Sequence, residues 1–285
     1  MSMIKSIARM APPGFVRWVG RLQFRFPVLA PLINRVGAQA SAGENVMRHG
    51  IGRGLKFDSQ GGHPGYAMGT SDPEEQAALA QHLKLGQVFY DIGANVGFFT
   101  TLAGRIVGPA GRVYGFEPFP GSAAAARANA SRNGFDHVEI IDAAVSNFEG
   151  EAAFDVSKTI TVFRLLKPGE SGGGDGKSIR VPVITIDAEV ARGRLQPPDM
   201  VMIDVEGAEL EVLEGMRQTL RARRPTIICE VHWAVPEEFL ARFRAIAGDD
   251  AYDVRTLDGS PMPTGAERFH LLMTPKPGDE NMGRP

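Results

Sequence analysis

The stretch Val88-Phe89-Tyr90-Asp91-Ile92-Gly93-Ala94-Asn95-Val96-Gly97 decides how the chain is read. A short, mostly apolar run bounded by glycines fits a strand buried on both faces. Gly93 and Gly97 then form a turn in which backbone can come close to a ligand. The residues from Phe98 to Val107 continue as a helix, whose N-terminus favours an anionic group.

Working outward, Arg112–Phe116 reads as a second strand, Ser122–Asn133 as an alanine-rich helix stopped by Gly134, and Val138–Ile141 as a third strand. Strand–helix–strand–helix–strand is the start of a doubly wound α/β fold on a parallel sheet. Residues 144–186 break the rhythm into short strands at 152–156, 160–166 and 179–186. A glycine-rich linker at 169–177 separates the last two. The α/β order returns with a strand at 200–205, a helix at 208–221, a strand at 226–232 and a helix at 236–246. Strands at 252–256 and 269–273 close the pattern. Upstream, Asp72 as N-cap, Pro73 at the first helical position and Glu75 mark a helix running to Leu85. Short strands are expected at 51–57 and 66–69. The resulting organisation is a basic arm (1–45), an extension leading into the core (46–86), the α/β domain (87–274) and a disordered tail (275–285).

Composition narrows the function classes. The chain has 285 residues and a formal net charge of −2, so no global basic field suggests nucleic acid. One cysteine, Cys229, excludes an intrachain disulfide framework and any site built on several thiolates. It reads as a buried core thiol. Of 31 basic residues, six fall within the first 43 positions, where no acid occurs; the other 25 face all 33 acids. Phe15, Trp18, Val19, Leu22 and Phe26 recur at helical spacing, with Arg17, Arg21 and Arg25 on another face. A basic amphipathic helix over 14–26 is expected, packed on the domain or touching a membrane surface. No apolar run is long enough for a transmembrane helix and no secretory signal is read, so the expected compartment is the cytoplasm, with peripheral membrane contact through the arm.

The glycine spacing argues against two common nucleotide sites. Gly93 and Gly97 are four apart, which does not fit the G-x-G-x-x-G of a dinucleotide cradle, and no G-x-x-x-x-G-K-[ST] occurs. An acid beside a glycine-rich turn instead suits a ligand carrying both an amine and a carboxylate. S-adenosylmethionine (SAM) has such an end. Glu117, closing the second strand in Tyr114-Gly115-Phe116-Glu117-Pro118, is placed to accept two ribose hydroxyls. Asp142, ending the third strand before Ala143, is a candidate for the adenine amino group. Asp91, Glu117 and Asp142 thus stand at adjacent strand ends, where open α/β sheets bind ligands. In Met202-Ile203-Asp204-Val205-Glu206-Gly207-Ala208-Glu209, Asp204 and Glu206 fall beside the first strand, near the transferred group. Glu209 reads as a helix-dipole partner. Alternation in Ile227-Ile228-Cys229-Glu230-Val231-His232 puts Glu230 and His232 on one face. The ordinary pKa of His232 suits a general base.

Taken together, these segments resemble the FkbM family of SAM-dependent methyltransferases. The resemblance rests on Tyr90 through Thr100, Gly115 through Pro118, Asp142 through Ser146 and Ile203 through Glu209, with Thr185-Ile186-Asp187 ahead of the last. It implies a seven-stranded Rossmann-like class I methyltransferase sheet, preceded here by a helical and irregular N-terminal extension. It also implies methyl transfer to a hydroxyl oxygen of a sugar, glycolipid or polyketide-type metabolite. Cofactor residues carried over by motif are Asp91, Gly93, Ala94, Asn95, Gly97, Glu117, Pro118, Asp142 and Ala143, with Asp204 at the methyl end. His232, Asp204 and Glu206 are the candidate bases, His232 first. No His/Cys spacing supports a metal, and a carboxylate set of Asp187, Asp204 and Glu206 is a weak signal, so none is expected. The expected partner is a small-molecule or glycan acceptor. RNA methylation and a non-catalytic SAM-binding module at a membrane are the alternatives.

Overall fold

The computed structural model describes residues 43–59, 64–155, 164–165, 178–265 and 267–277. The amphipathic helix at 14–26, the glycine-rich linker at 169–177 and nearly all of the tail lie outside these residues.

Seven strands form the main sheet: β3 (Val88–Ile92), β4 (Arg112–Phe116), β5 (Val138–Ile141), β10 (Met200–Ile203), β11 (Thr226–Ala234), β12 (Tyr252–Thr256) and β13 (Glu267–Pro275). Their order is β12-β13-β11-β10-β3-β4-β5. Only β13 runs against the others. The chain winds from β3 outward through β4 to β5, then returns to the other side of β3 with β10 and winds outward again through β11. The reversal between β3 and β10 makes a switch point, where such sheets open a crevice at the carboxyl ends of the strands.

Register sets which residues meet there. Ile92 pairs with Phe116 and with Ile203, Phe116 with Ile141, and Ile203 with Cys229. The next residue on each strand, Gly93, Glu117, Asp142, Asp204 and Glu230, therefore stands at one level along the rim. Parity sorts the rest. Tyr90, Ile92, Tyr114, Phe116, Val201, Ile203, Ile227 and Cys229 pack on one face with Val212, Leu213, Leu220, Phe239 and Phe243. These come from α6 (Glu209–Gly215), α7 (Arg217–Arg223) and α8 (Pro236–Ala247). Phe89, Val113, Met200, Met202 and Ile228 pack on the other face against Leu79, Leu83, Phe98 and Leu102, from α2 (Pro73–His82) and α3 (Phe98–Val107). Both faces are apolar, as a parallel sheet covered by helices requires.

A second sheet, of order β6-β9-β7-β8, comprises β6 (Ala144–Val145), β7 (Gly150–Asp155), β8 (Arg164–Leu165) and β9 (Ser178–Ile184). It carries a small core of Ala144, Phe154, Val181 and Val183 beside the rim. In the extension, β1 (Asn45–Val46) and β2 (Lys56–Phe57) pair as a hairpin, followed by α1 (Pro64–Met68). The extension is fastened behind the glycine turn. Asn129, on α4 (Pro120–Arg132), donates to the carbonyls of Asp58 and Val96 at 3.0 and 2.9 Å, and Tyr66 stacks on Phe98 at 4.7 Å.

Three local expectations differ from the structure. Residues 66–69 do not form a strand, because 64–68 is a helical turn whose Tyr66 is held on Phe98. Asp72 occupies the N-cap position of α2 in a left-handed conformation (φ 48°) and its side chain makes no capping bond. The helix expected at 208–221 is two helices. Asp187, in the first turn of α5 (Ile186–Ala191), accepts from the backbone N–H groups of Gln218 and Thr219 at 2.8 Å each. It thereby supplies a new N-terminus for α7. Among the described residues no helix is long and apolar enough to cross a membrane.

Candidate active site

A small cleft, with a cavity volume of about 70 Å³, opens at the switch point. Its lining includes Gly93, Asn95, Glu117, Pro118, Ala143, Phe154, Asp204 and Glu206. Residues from the glycine turn, the ends of β4, β5 and β10, and the second sheet thus surround one space.

At the β3–β5 side the backbone does most of the building. Gly93 has φ +90°, and a Cβ there would fall 1.8 Å from the carbonyl oxygen of Asp204. Only glycine lets the β3 and β10 ends approach so closely. Gly97 (φ +81°) caps α3, and a Cβ there would meet Ala126 on α4 at 2.8 Å. The glycine spacing read from the sequence therefore serves two packing contacts, one on each side of the turn. Ala94 is buried and donates its N–H to Phe116.

Glu117 is the central acid of this side. It is buried, and its two oxygens accept from the N–H groups of Asn95 and Phe119 at 2.8 Å each. Burial pushes its pKa up to about 7 despite those hydrogen bonds. A carboxylate has about four acceptor sites, so each oxygen keeps one for a ligand.

Asp91 and Asp142 stand elsewhere. By strand parity Asp91 faces α3, where it accepts from the Thr100 hydroxyl. It is not part of the cleft lining, and burial lifts its pKa to about 6. Asp142 points outward to Arg127, at 2.6 Å, with half its side chain exposed. Of that rim segment, Ala143 lines the cleft instead.

The β10–β11 side gathers charge. His232 is 5 % exposed. Its Nδ1 lies 2.9 Å from Glu209 Oε1, which also accepts from the N–H of Gly207 at 2.9 Å. Its Nε2 faces Glu230 at 3.4 Å, Glu206 at 3.5 Å and Asp204 at 4.0 Å, yet makes no hydrogen bond among the described residues. Burial disfavours the charged imidazole, but Glu209, Glu230 and Glu206 outweigh that and lift its pKa to about 10. The ordinary histidine pKa on which its ranking as a base rested is thus absent. Asp204 is pushed well above the usual carboxylate range, first by burial and then by Glu230. Glu206 is raised as well, chiefly by burial. Glu230 is held low: the His232 contact and the charges of His270 and Arg268 outweigh its burial, with Arg268 Nη1 at 3.1 Å.

Two residues of this side escaped the sequence reading. Glu209, taken as a helix-dipole partner, fixes the His232 ring instead, a pairing across 23 positions that no local pattern reveals. Trp233 sits at a register shift in the β11–β13 ladder with φ +53°. It is 61 % exposed, and its ring lies over Gly207, 3.2 Å from where a Cβ would stand. Bulges near active sites often re-aim a side chain in this way.

Comparison with known proteins places this geometry in a family. Residues 91–257 match the model described as the methyltransferase FkbM domain. The hexuronic acid methyltransferase AglP of Haloferax volcanii is 28 % identical over 157 residues, spanning 55 % of this chain and 61 % of that protein. The chain thus covers less than two thirds of AglP. The 31-O-demethyl-FK506 methyltransferase FkbM of Streptomyces tacrolimicus is 27 % identical over 176 residues, with 53 % and 67 % covered. A crystal structure of methyltransferase FkbM from Methylobacillus flagellatus aligns with a TM-score of 0.45 and 12 % identity, over 86 % of this chain and 60 % of that one. With the family model spanning more than half of its length, this chain belongs to the FkbM methyltransferase family.

Proposed function

We propose that the chain is a SAM-dependent O-methyltransferase whose acceptor is a hydroxyl on a sugar, glycolipid or polyketide-type metabolite. The observation that carries this reading is one cleft with two unlike ends. Glu117 is fixed on backbone amides at one end, and Asp204 and Glu206 present carboxylates at the other. The activities named for AglP and FkbM support a hydroxyl acceptor of this kind.

The residues present fit the cofactor, because the buried Glu117 carboxylate retains one acceptor site on each fixed oxygen for a pair of vicinal hydroxyls. Gly93, Asn95, Glu117, Pro118 and Ala143 would hold it. When bound, SAM supplies an electrophilic methyl group on a sulfonium centre. The chain's own part is to hold an acceptor oxygen in line with that carbon and to take its proton. Asp204 and Glu206 reach the cleft, whereas His232 is sealed behind them. The two carboxylates are therefore the groups that receive the proton, and His232 with Glu209 positions them. Trp233, exposed beside Gly207, offers a flat apolar face for an acceptor ring.

Titration calorimetry of the full chain with S-adenosylhomocysteine, with NADH as control, tests the cofactor. Micromolar binding that is weakened at least tenfold by Glu117→Ala is expected. Absence of binding to the intact chain overturns the reading. Transfer of labelled methyl from SAM to hexuronic acid glycosides then tests the acceptor.

A further inference from the structure

His232 poses a problem that methyl transfer alone does not resolve. Its buried Nε2 is aimed into a group of carboxylate oxygens but forms no hydrogen bond among the described residues. Four carboxylates, Asp204, Glu206, Glu209 and Glu230, surround one imidazole. Among the described residues, the other cations at this cluster are Arg268 at 3.1 Å and His270 at 3.8 Å, both on Glu230. Even with both histidines charged, the carboxylates outnumber the cations, and His270 is shared with Glu75.

We propose that Asp204, Glu230 and His232 form a binding site for a divalent metal ion. One oxygen from each acid and one imidazole nitrogen lie within 4.8 Å of one another. Around an octahedral ion with bonds of roughly 2.1 Å, neighbouring ligand atoms stand about 3 Å apart and opposite ones about 4.2 Å. The Nε2 separations of 3.4 Å to Glu230 and 4.0 Å to Asp204 fall inside that span. Glu230 is paired in the β11–β13 ladder, Asp204 directly follows β10 and donates its N–H to Ile92, and His232 stands at the register shift of β11.

The surroundings match a metal-bound imidazole. Metal-ligating histidines usually donate their second ring N–H to a carboxylate, which fixes the tautomer and the ring orientation. Glu209 does this for Nδ1 at 2.9 Å and is itself held by the Gly207 N–H. An ion would displace the Nε2 proton, leaving Nδ1 protonated toward Glu209 and the Nε2 lone pair directed at the space beside Asp204 and Glu230. Two oxygens and one imidazole, without a thiolate, suit manganese or zinc better than a soft ion. Asp204 also lines the cleft, so an ion there would have positions open to an acceptor oxygen. With Asp204 engaged by the ion, Glu206 alone would be left beside it to take the proton. That catalytic consequence rests on the methyl-transfer reading; the binding claim does not. Of the carboxylate set suggested by sequence, only Asp204 belongs to this site: Asp187 is committed to the N-terminus of α7, and Glu206 stands beside the ligands.

The test uses the full chain, stripped with chelator and dialysed. MnCl2 is added while the signal of free aqueous Mn2+ is followed by electron paramagnetic resonance; ZnCl2 binding is followed by calorimetry. About one equivalent of either ion bound at micromolar concentration is expected. Glu230→Gln and Asp204→Asn, near-isosteric changes, should each weaken binding at least tenfold. Circular dichroism verifies that both variants are folded, and Glu117→Gln, at the far end of the cleft, should bind the ion as the parent does. Less than one tenth of an equivalent of both ions bound at 100 μM overturns the proposal, as does binding that Glu230→Gln leaves unchanged. S-adenosylhomocysteine binding, measured on the stripped chain, reports on the cofactor reading separately.

Discussion

At the β3–β5 side of the cleft, a single buried acid is satisfied by backbone N–H groups of its own and the neighbouring loop. At the β10–β11 side, four acids crowd around one histidine, whose Nδ1 is held by Glu209 while its Nε2 makes no hydrogen bond among the described residues. The first arrangement is local: its geometry follows from the turn at 93–97 and the end of β4. The second is collective, and each member's charge state depends on the others. A backbone-built site should respond to substitution mainly in affinity. A side-chain network should respond mainly in turnover.

The largest effect is expected where the reacting oxygen is met. Asp204→Asn should lower kcat by about 10²- to 10⁴-fold, the usual contribution of a positioned proton acceptor, while S-adenosylhomocysteine affinity stays within about twofold. An equal loss in both would break the contrast between the two sides. Gly93→Ala comes next, because its methyl group would meet the Asp204 backbone. Overpacking and left-handed strain together should cost about 3 kcal/mol or more, read from denaturant melts. Glu117→Gln should weaken S-adenosylhomocysteine about 10- to 100-fold, the range for losing a charge-assisted hydrogen bond, with kcat at saturating SAM nearly kept.

The titration of Glu117 sharpens the comparison further. Its folded pKa, about 7, lies above the ordinary value of 4.5. The stability it contributes is complete below about 4.5 and is lost as pH rises through about 7. Glu117→Gln, which cannot ionise, should therefore gain melting temperature relative to the parent between pH 4.5 and 8. S-adenosylhomocysteine affinity of the parent should rise over the same window, since the ionised carboxylate is the better acceptor. The smallest effect belongs to Cys229. Buried among apolar side chains and absent from the cleft lining, its replacement by Ala should cost about 1 kcal/mol and leave kcat unchanged. Loss of turnover there would give the thiol a role that its placement denies.

The difference between the two sides also explains what could be read in advance. Strands 88–92, 112–116 and 138–141 and the helix at 98–107 follow from hydrophobic pattern and glycine punctuation, and the structure has them at those bounds. Glu117 is legible because it closes the strand after the glycine turn, and its partners Asn95 and Phe119 lie in that turn and just beyond its own motif. Asp91 sits in the glycine-turn motif, but its direction depends on strand parity relative to helices not yet placed, and it faces Thr100. The Glu209–His232 pair could not be read at all, since it forms only when α6 packs beside β11. The split of the helix at 216 is likewise long-range: Asp187 caps α7 from 31 positions away.

The contact at Gly93 has a consequence for how such a site can diversify. The clearance between the β3 turn and the Asp204 carbonyl is smaller than a methyl group. On the methyl-transfer reading, that contact would clamp the distance from cofactor to acceptor oxygen, like the jaws of a gauge locked at one setting. A chain that exchanges one acceptor for another has to keep that setting and vary its outer walls. In this molecule Phe154 on the second sheet lines the cleft, and Trp233 stands exposed at the β11 bulge beside Gly207. Changes of acceptor preference should therefore arise around these two aromatic residues, while the residues that hold the clamp stay as they are.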